Sequence, residues 1–254
     1  MKNSYQDKIV QILLEESYKT YRAKRKHLVD LADMDAANQL VNDLDKNPHA
    51  FVIACILDRQ ISAERAWSAP YVLKQRLNGF DFTYLESLSK QQIYNAMTRP
   101  IPIHRFNKDM SFYIFSGIQR IKNSYESNDA NIWNDIPSSS LLVYRFLQFE
   151  GIGNKIATMA SNILVRDFKI KVSDKYSIDI SVDVQVKRVF KRLGLVNKDA
   201  SNEEIIFRAR SLHPKYPGIF DLECWNIGRE WCRPKKPLCS KCYLNDLCPK
   251  INVN

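Results

Sequence analysis

The chain has 254 residues, 45% of them hydrophobic, which is enough to bury a substantial core in one large domain or two modest ones. No apolar run approaches the length of a membrane-spanning helix, and seven glycines exclude a collagen-like composition. Lys and Arg outnumber Asp and Glu by 38 to 28, which gives a formal charge of +10. This excess favours a polyanionic partner, and because it is spread over many segments we expect nucleic acid rather than a membrane.

Apolar periodicity predicts helices along the chain and no sustained strand, so we predict an all-α fold. The first helix includes Ile9 to Tyr21, and its amphipathic pattern differs from a secretory signal, so we expect an intracellular protein, in the cytoplasm or nucleoid. The next begins at Pro48 and is apolar on all sides. Further helices are predicted over 63–77, 83–97, 108–125 and 182–193. The sequence leaves the structure of residues 166–181 open.

A short turn at Gly151-Ile152-Gly153 separates two more predicted helices. Ser138 to Ser140 offer a cap for the first, and apolar residues from Ile156 to Ile163 at helical spacing define the second. The turn amides, aimed outward at the start of a helix, suit a phosphate oxygen. A Gly-x-Gly turn alone is also compatible with an ordinary helical hairpin.

Four cysteines lie close together near the C-terminus, with the spacing Cys232-x6-Cys239-x2-Cys242-x5-Cys248. Four clustered cysteines in an intracellular chain indicate a metal site rather than disulfides. Zinc and a [4Fe–4S] cluster both accept four thiolates, but zinc ribbons usually present two Cys-x2-Cys pairs and this chain has one here. The spacing alone leaves both groups open, and the resemblance of this loop to an iron–sulfur family, described next, favours the [4Fe–4S] cluster over zinc. We expect Cys55 and Cys224 to be buried thiols.

The hairpin, a lysine two residues after it and the cysteine loop together resemble the helix-hairpin-helix DNA glycosylase superfamily, and specifically its iron–sulfur branch typified by endonuclease III. The resemblance covers roughly residues 30 to 250. It implies two helical domains flanking a DNA-binding cleft. The first would be a six-helix domain over 48–165, and the second would combine 1–47 with 166–254 and carry the cluster.

The resemblance also implies DNA contacts. Gln60 matches a glutamine that probes the duplex near the extruded base, and Arg105 lies where the family inserts a side chain into the gap. Gly151 and Gly153 would bind phosphate through the hairpin, and Lys235 and Lys236 through the cysteine loop. The neighbouring His104 is expected to be a surface histidine, because no second histidine lies at metal-binding spacing.

Two residues match the family's catalytic positions. Lys155 would attack C1′ of the sugar, if desolvation and positive neighbours keep its amine partly neutral. Asp183, in the sequence Val182-Asp183-Val184-Gln185, would stabilise positive charge on the sugar. An N-cap is a sufficient structural reason for this aspartate, and Gln185 replaces the family's usual histidine.

These matches imply a base excision repair DNA glycosylase with associated abasic-site lyase activity. Its partner would be double-stranded DNA containing a lesion or mismatch, and the protein would be a monomer. A monofunctional glycosylase and a non-catalytic DNA-binding protein with a structural metal cluster are the alternatives. The sequence does not identify the excised base, although Cys55 stands where adenine-specific members carry a catalytic glutamate.

Overall fold

The computed structural model of the chain describes residues 4–24 and 28–253. The regular structure in these ranges is helical, with no β-strand, which confirms the predicted all-α fold. The α-helices are α1 (Ser4–Arg22), α2 (Asp35–Asn42), α3 (Pro48–Leu57), α4 (Ala63–Arg76), α5 (Phe82–Ser87), α6 (Lys90–Thr98), α7 (Asn107–Ser124), α8 (Ser139–Leu147), α9 (Asn154–Arg166), α10 (Val184–Arg192), α11 (Asn202–Leu212) and α12 (Asp221–Glu230). Short 3-10 helices span Asp129–Ile132, Pro217–Phe220 and Cys239–Lys241. None of the helices described is long and apolar enough to cross a membrane.

Contacts between residues divide the chain into two compact units. The central unit contains Lys26–Pro137 and Tyr144–Ala160, and the terminal unit contains Met1–Arg25, Ser138–Val143 and Ser161–Asn254. The domains expected from the sequence have different bounds and stay a prediction. Residues 1–3, 25–27 and 254, which that prediction includes, lie outside the described residues.

The core of the central unit is built around α3. All ten of its residues are buried, as expected from a helix that is apolar on every side, and it packs against α2, α4 and α7. Pro48 occupies the first turn, where its missing N–H costs nothing. The helix ends at Leu57, and its C-cap Asp58 begins the loop that carries Gln60.

The helix predicted over 83–97 is wrong in one respect, because two helices, α5 and α6, occupy this stretch. Leu88 is extended between them. Ser89 then starts α6 with a capping box, in which its side chain accepts from the Gln92 N–H and the Gln92 side chain accepts from the Ser89 N–H. The reciprocal cap satisfies two amides and favours a new helix start over continuation.

In the terminal unit, an irregular segment over residues 167–183 leads from α9 into α10. Side chains from neighbouring helices hold it. The Asp179 carboxylate accepts two bonds of 2.7 Å from Arg210 of α11, and Asp221 of α12 accepts from the backbone N–H of Ser181 at 2.7 Å. Residues 178–181 of this segment are buried and have no ladder or helix of their own, and these bonds hold the chain that delivers Asp183 to α10.

Candidate functional site

The hairpin between α8 and α9 is packed on one side and open on the other. Gly151 has φ +86°, and a Cβ there would lie 2.7 Å from the Tyr113 ring. A Cβ on Gly153 would meet no other atom of the described residues within 4 Å. Gly151 is therefore required by backbone conformation and packing. At Gly153, by contrast, a ligand can approach the backbone at the start of α9, where the first amides have no acceptor within the helix.

Lys155 lies in the first turn of α9 and forms an ion pair with Asp58. Its Nζ is 2.6 Å from Asp58 Oδ2 and 3.8 Å from Met159 Sδ. The Asp58 side chain is 7% exposed and the Lys155 side chain 39%. From the sequence, we expected positively charged neighbours around the Lys155 amine. The partner in the structure is instead a carboxylate, that of Asp58.

Asp183 is the N-cap of α10. Its Oδ1 accepts from the backbone N–H of Gln185 at 2.9 Å and of Val186 at 2.8 Å. The Gln185 side chain accepts a hydrogen bond from Arg188 on the next turn. Asp183 thus has the structural role anticipated for it, which leaves its catalytic role a prediction. It belongs to the terminal unit, whereas Lys155 belongs to the central unit.

Gln60 and Arg105, the two side chains matched to DNA-probing positions, are brought together in the central unit. Arg105 Nη2 donates to Gln60 Oε1, and both residues are exposed. Gln60 has φ +55°, a conformation uncommon for a residue with a Cβ. The Arg105 guanidinium lies 4.7 Å from the centroid of the Phe106 ring. An exposed polar pair on two loops is therefore available to a partner.

His104 is fully buried, so the expectation of a surface histidine is wrong. Its Nδ1 accepts from the Phe106 backbone N–H at 3.0 Å, and its Nε2 is 3.0 Å from the Arg59 carbonyl oxygen. The acceptor role of Nδ1 places the proton on Nε2, which donates to Arg59. Burial lowers the pKa of His104, which favours this neutral form. The ring ties together the loops that carry Gln60 and Arg105.

The four clustered cysteines line one cavity in the terminal unit. We call residues 231–250 the cysteine loop. Within the described ranges, no three His, Cys, Asp or Glu side chains have the arrangement that would hold one metal ion. Cys55 and Cys224 are buried away from this cavity, as predicted.

Two arginines of α10 hold the start of the cysteine loop. Arg188 Nε donates to the Cys232 carbonyl at 2.5 Å, and Arg192 donates to the carbonyls of Arg233 at 2.7 Å and Pro234 at 3.2 Å. Arg192 Nη1 also lies 3.6 Å from Cys232 Sγ. The three bonds to carbonyls hold the backbone of the loop. The contact with Cys232 Sγ suits a thiolate-ligated group, because a guanidinium donor stabilises negative charge on sulfur.

Lys235 and Lys236 lie beside these contacts and are exposed. Their side chains are therefore accessible to solvent and to a charged partner. The residues that sequence reasoning missed are Asp58 and Tyr113, and His104 was named but placed at the surface. Asp58 lies in the polar stretch that follows α3, and nothing in the sequence indicates that it is close to Lys155.

Comparison with known proteins supports the resemblance carried by the motifs. No model of a protein family matches the chain. Endonuclease III of Sulfolobus acidocaldarius is 26% identical over 140 residues, which cover 52% of this chain and 58% of that relative. The match thus spans somewhat less than two thirds of the relative's length.

Solved structures match over nearly the whole chain. A trapped covalent intermediate of endonuclease III with DNA has a TM-score of 0.63 at 20% identity and covers 96% of both chains. A thermostable thymine-DNA glycosylase has a TM-score of 0.60 at 16% identity, covering 98% of this chain and 97% of that one. The chain has the fold of the helix-hairpin-helix DNA glycosylases. An 8-oxoguanine glycosylase/lyase of Clostridium acetobutylicum in complex with double-stranded DNA matches more distantly, with a TM-score of 0.57 at 14% identity over 91% of this chain and 70% of that one.

Proposed function

We propose that this chain is a base excision repair DNA glycosylase with abasic-site lyase activity. The observation that carries the proposal is the hairpin, which is open at Gly153 and places Lys155 in the first turn of the helix that follows. The similar endonuclease III structure is a covalent intermediate with DNA, which supports a nucleophile in this fold. The partner would be double-stranded DNA containing a lesion or mismatch, bound by a monomer, and such a protein would act inside the cell.

The proposed chemistry requires the damaged nucleotide to leave the base stack. Lys155 Nζ forms a bond to C1′ as the glycosidic bond breaks and the base departs with the electron pair and a proton. The C1′–O4′ bond then breaks, O4′ takes up a proton, and the nitrogen lone pair forms the C1′=N bond of a Schiff base. This Schiff base permits β-elimination, in which C2′ loses a proton and the 3′ phosphate leaves with the electrons of the C3′–O bond. The carboxylate of Asp183 stabilises the positive character that develops on the sugar.

Two surfaces would hold the duplex. Phosphates would bind the partly positive backbone amides around Gly151 and Gly153, which lie at the start of a helix. They would also bind the cationic side chains of Lys235 and Lys236, which are exposed. Gln60 and Arg105 would probe the bases near the flipped nucleotide, from the paired loops described above.

We propose a [4Fe–4S] cluster as the group held by Cys232, Cys239, Cys242 and Cys248. A single zinc ion would draw four thiolates to about 2.3 Å from one point. The four thiols line one cavity with Arg192, Ile227 and Trp231, and the loop has a single Cys-x2-Cys pair where zinc ribbons usually have two, which favours the cluster. The cluster would be structural, holding the lysines of the cysteine loop in place.

The test separates the two chemical steps. Borohydride should trap wild-type protein on an abasic duplex, and Lys155→Ala should not be trapped while Lys122→Ala, an exposed lysine of α7, behaves as wild type. Asp183→Asn should slow base release by orders of magnitude on a panel of single-lesion duplexes. Asp81→Asn is its matched control, because Asp81 caps α5 in the same way.

Each alternative has its own outcome. Base release without trapping would make the protein a monofunctional glycosylase, an alternative that the ion pair favours because it holds Lys155 Nζ against the Asp58 carboxylate. Neither release nor trapping across the lesion panel would favour the non-catalytic DNA-binding protein.

A further inference from the structure

A pocket in the central unit is formed by the end of α4, the loop that follows it, α5 and α6. Its polar lining consists of two arginines, three side-chain amides and one tyrosine, namely Arg76, Arg99, Asn78, Gln92, Asn95 and Tyr84. Every lining residue belongs to the described part of the chain, and none of them is an Asp or a Glu. We call this site the arginine pocket.

The acidic residues nearest to the pocket along the chain have partners elsewhere. The carboxylate of Asp81 caps α5 by accepting from the backbone N–H of Tyr84 at 2.9 Å. The carboxylate of Glu86 accepts from the Ser127 hydroxyl at 2.8 Å. Neither acid lines the pocket, so its two guanidinium groups face no carboxylate there.

Arg76 is fixed in the wall of the pocket by one hydrogen bond. Its Nη1 donates to the carbonyl oxygen of Ala96 at 2.9 Å. If α6 continued, that carbonyl would accept from residue 100, but residue 100 is a proline and has no N–H. Arg76 replaces the missing donor. Its Nε and Nη2 have no acceptor among the described residues, so the rest of the guanidinium is held in place and open to a ligand.

Arg99 is the C-cap of α6, and its side chain is exposed. A cation at a helix C-terminus has an ordinary structural reason, which is attraction to the partial negative charge of the last carbonyls. The Arg99 guanidinium nevertheless forms no hydrogen bond or ion pair with any residue that the structure describes. All of its N–H donors are therefore available.

Tyr84 and Asn78 add neutral donors to the same pocket. Tyr84 lies directly against the loop between α4 and α5, because a Cβ on Gly79 would be 2.9 Å from its Cγ. Within the described ranges, neither the Tyr84 hydroxyl nor the Asn78 side-chain amide has a hydrogen-bond partner. Two cationic and two neutral donors thus line one pocket without a partner for their remaining N–H and O–H groups.

We propose that the arginine pocket binds a phosphate group. Guanidinium groups bind phosphate oxygens in pairs, and a phosphate offers enough oxygens for both arginines and for a neutral donor. Inorganic phosphate, a phosphomonoester and the backbone of DNA share this chemistry. The inference goes beyond the proposed glycosylase activity and does not depend on the chemistry of Lys155.

DNA is the source that the position of the pocket favours. Arg99 begins the loop that leads to Arg105, and Arg65 holds this loop through the carbonyls of Pro102 and Ile103. Residues 99 and 105 can be at most about 20 Å apart along an extended chain. A duplex presents a phosphate about every 3.4 Å along each strand, so one that contacts Arg105 carries several phosphates within that distance. This choice of source rests on the proposed DNA contact of Arg105.

Chemical modification tests the pocket without DNA. Phenylglyoxal modifies accessible guanidinium groups, and mass spectrometry of peptides gives the extent at each arginine. Modification of Arg99 should fall about threefold or more in roughly 20 mM inorganic phosphate, compared with sodium chloride of equal ionic strength. Arg120 of α7, half-buried and outside the pocket, is the internal reference and should react equally in both. Equal modification of Arg99 in phosphate and chloride would overturn the proposal.

An undamaged duplex in phosphate-free buffer distinguishes the sources. It should protect Arg99, and Arg99→Gln should lower the slope of log K against log salt by up to about one. Arg120→Gln should leave the slope unchanged, and Arg99→Lys, which keeps the charge, should retain most of it. Protection by inorganic phosphate without protection by the duplex would support the pocket and assign it to free phosphate or a phosphomonoester. Protection by neither would overturn it.

Failure of the lyase function would be seen separately. Arg99→Gln should be trapped by borohydride on saturating abasic duplex to the same extent as wild type, because Arg99 has no part in the proposed chemistry. Absence of trapping in both proteins would remove the lyase activity and leave the labelling result for Arg99 unaffected. A thermal melt of Arg99→Gln that matches wild type would show that its changed slope is not caused by misfolding.

Discussion

The hairpin and the cysteine loop are both irregular segments proposed to contact phosphates, yet they are stabilised in opposite ways. The hairpin buries Phe149 and Ile152 and rests on Tyr113, so it shares the hydrophobic core of the central unit. In the cysteine loop, all of which the structure describes, only Leu244 is buried between residues 232 and 250. The loop is held by arginine hydrogen bonds and by whatever its thiols bind.

The two segments therefore represent two ways to hold a DNA-contacting segment in one conformation. A segment with its own buried apolar residues keeps its conformation through packing. A segment without them needs a cross-link, because its conformational entropy is not offset by burial. We therefore expect the cysteine loop to depend on its ligand and the hairpin to be independent of it.

The largest effect should come from breaking the cross-link. Cys239→Ser should lose most of the bound iron, which we expect at about four atoms per wild-type chain. The loop should then become a site of proteolysis while the hairpin stays protected, as measured by metal analysis and limited digestion with mass spectrometry. Cys224→Ala is the control, since it removes a buried thiol outside the cavity and should keep the iron at a cost of about 1–2 kcal/mol in unfolding free energy. One zinc per chain in place of iron would contradict this prediction.

A smaller effect should distinguish the two glycines of the hairpin. Gly151→Ala forces positive φ on alanine and places a Cβ 2.7 Å from Tyr113, so urea denaturation should show a loss of about 1–3 kcal/mol. Gly153→Ala should cost within about 1 kcal/mol, because its Cβ meets open space and only the capping preference is lost. Its effect should appear instead as weaker duplex binding by fluorescence anisotropy. Equal stability losses at the two positions would contradict the conclusion that Gly151 lies on a packed side of the turn and Gly153 on an open side.

The smallest effect should be electrostatic and confined to the cysteine loop. Replacing Lys235 and Lys236 with Gln should lower the slope of log K against log salt by up to about two, because each lost phosphate contact releases about one counterion fewer. Gly153→Ala should weaken binding without changing this slope. Lys74→Gln with Lys122→Gln removes two exposed lysines from α4 and α7 and should leave the slope unchanged. An unaltered slope in the first double variant would mean that the cysteine loop does not contact phosphate.

Local patterns were sufficient for the features that depend on neighbours in sequence. The apolar run of α3, the capping aspartate of α10 and the Gly-x-Gly turn each follow from residues a few positions apart, where propensity and periodicity act. The spacing of the four cysteines likewise brought them to one cavity. The break at Ser89 was also encoded locally, by the capping box with Gln92, but the stronger apolar periodicity obscured it.

Contacts between distant residues were decided by the tertiary structure. Lys155 and Asp58 are 97 positions apart, and Arg105 and Gln60 are 45 apart. His104 was expected at the surface because no second histidine lies at metal-binding spacing, yet packing buries the ring and two loop backbones satisfy both of its nitrogens. The sequence by itself thus determined which residues carry the proposed chemistry, since those residues lie in short motifs. Only the tertiary structure decided the charge that faces the lysine, because an ion pair depends on distance in space and on burial, and neither has a period along the chain.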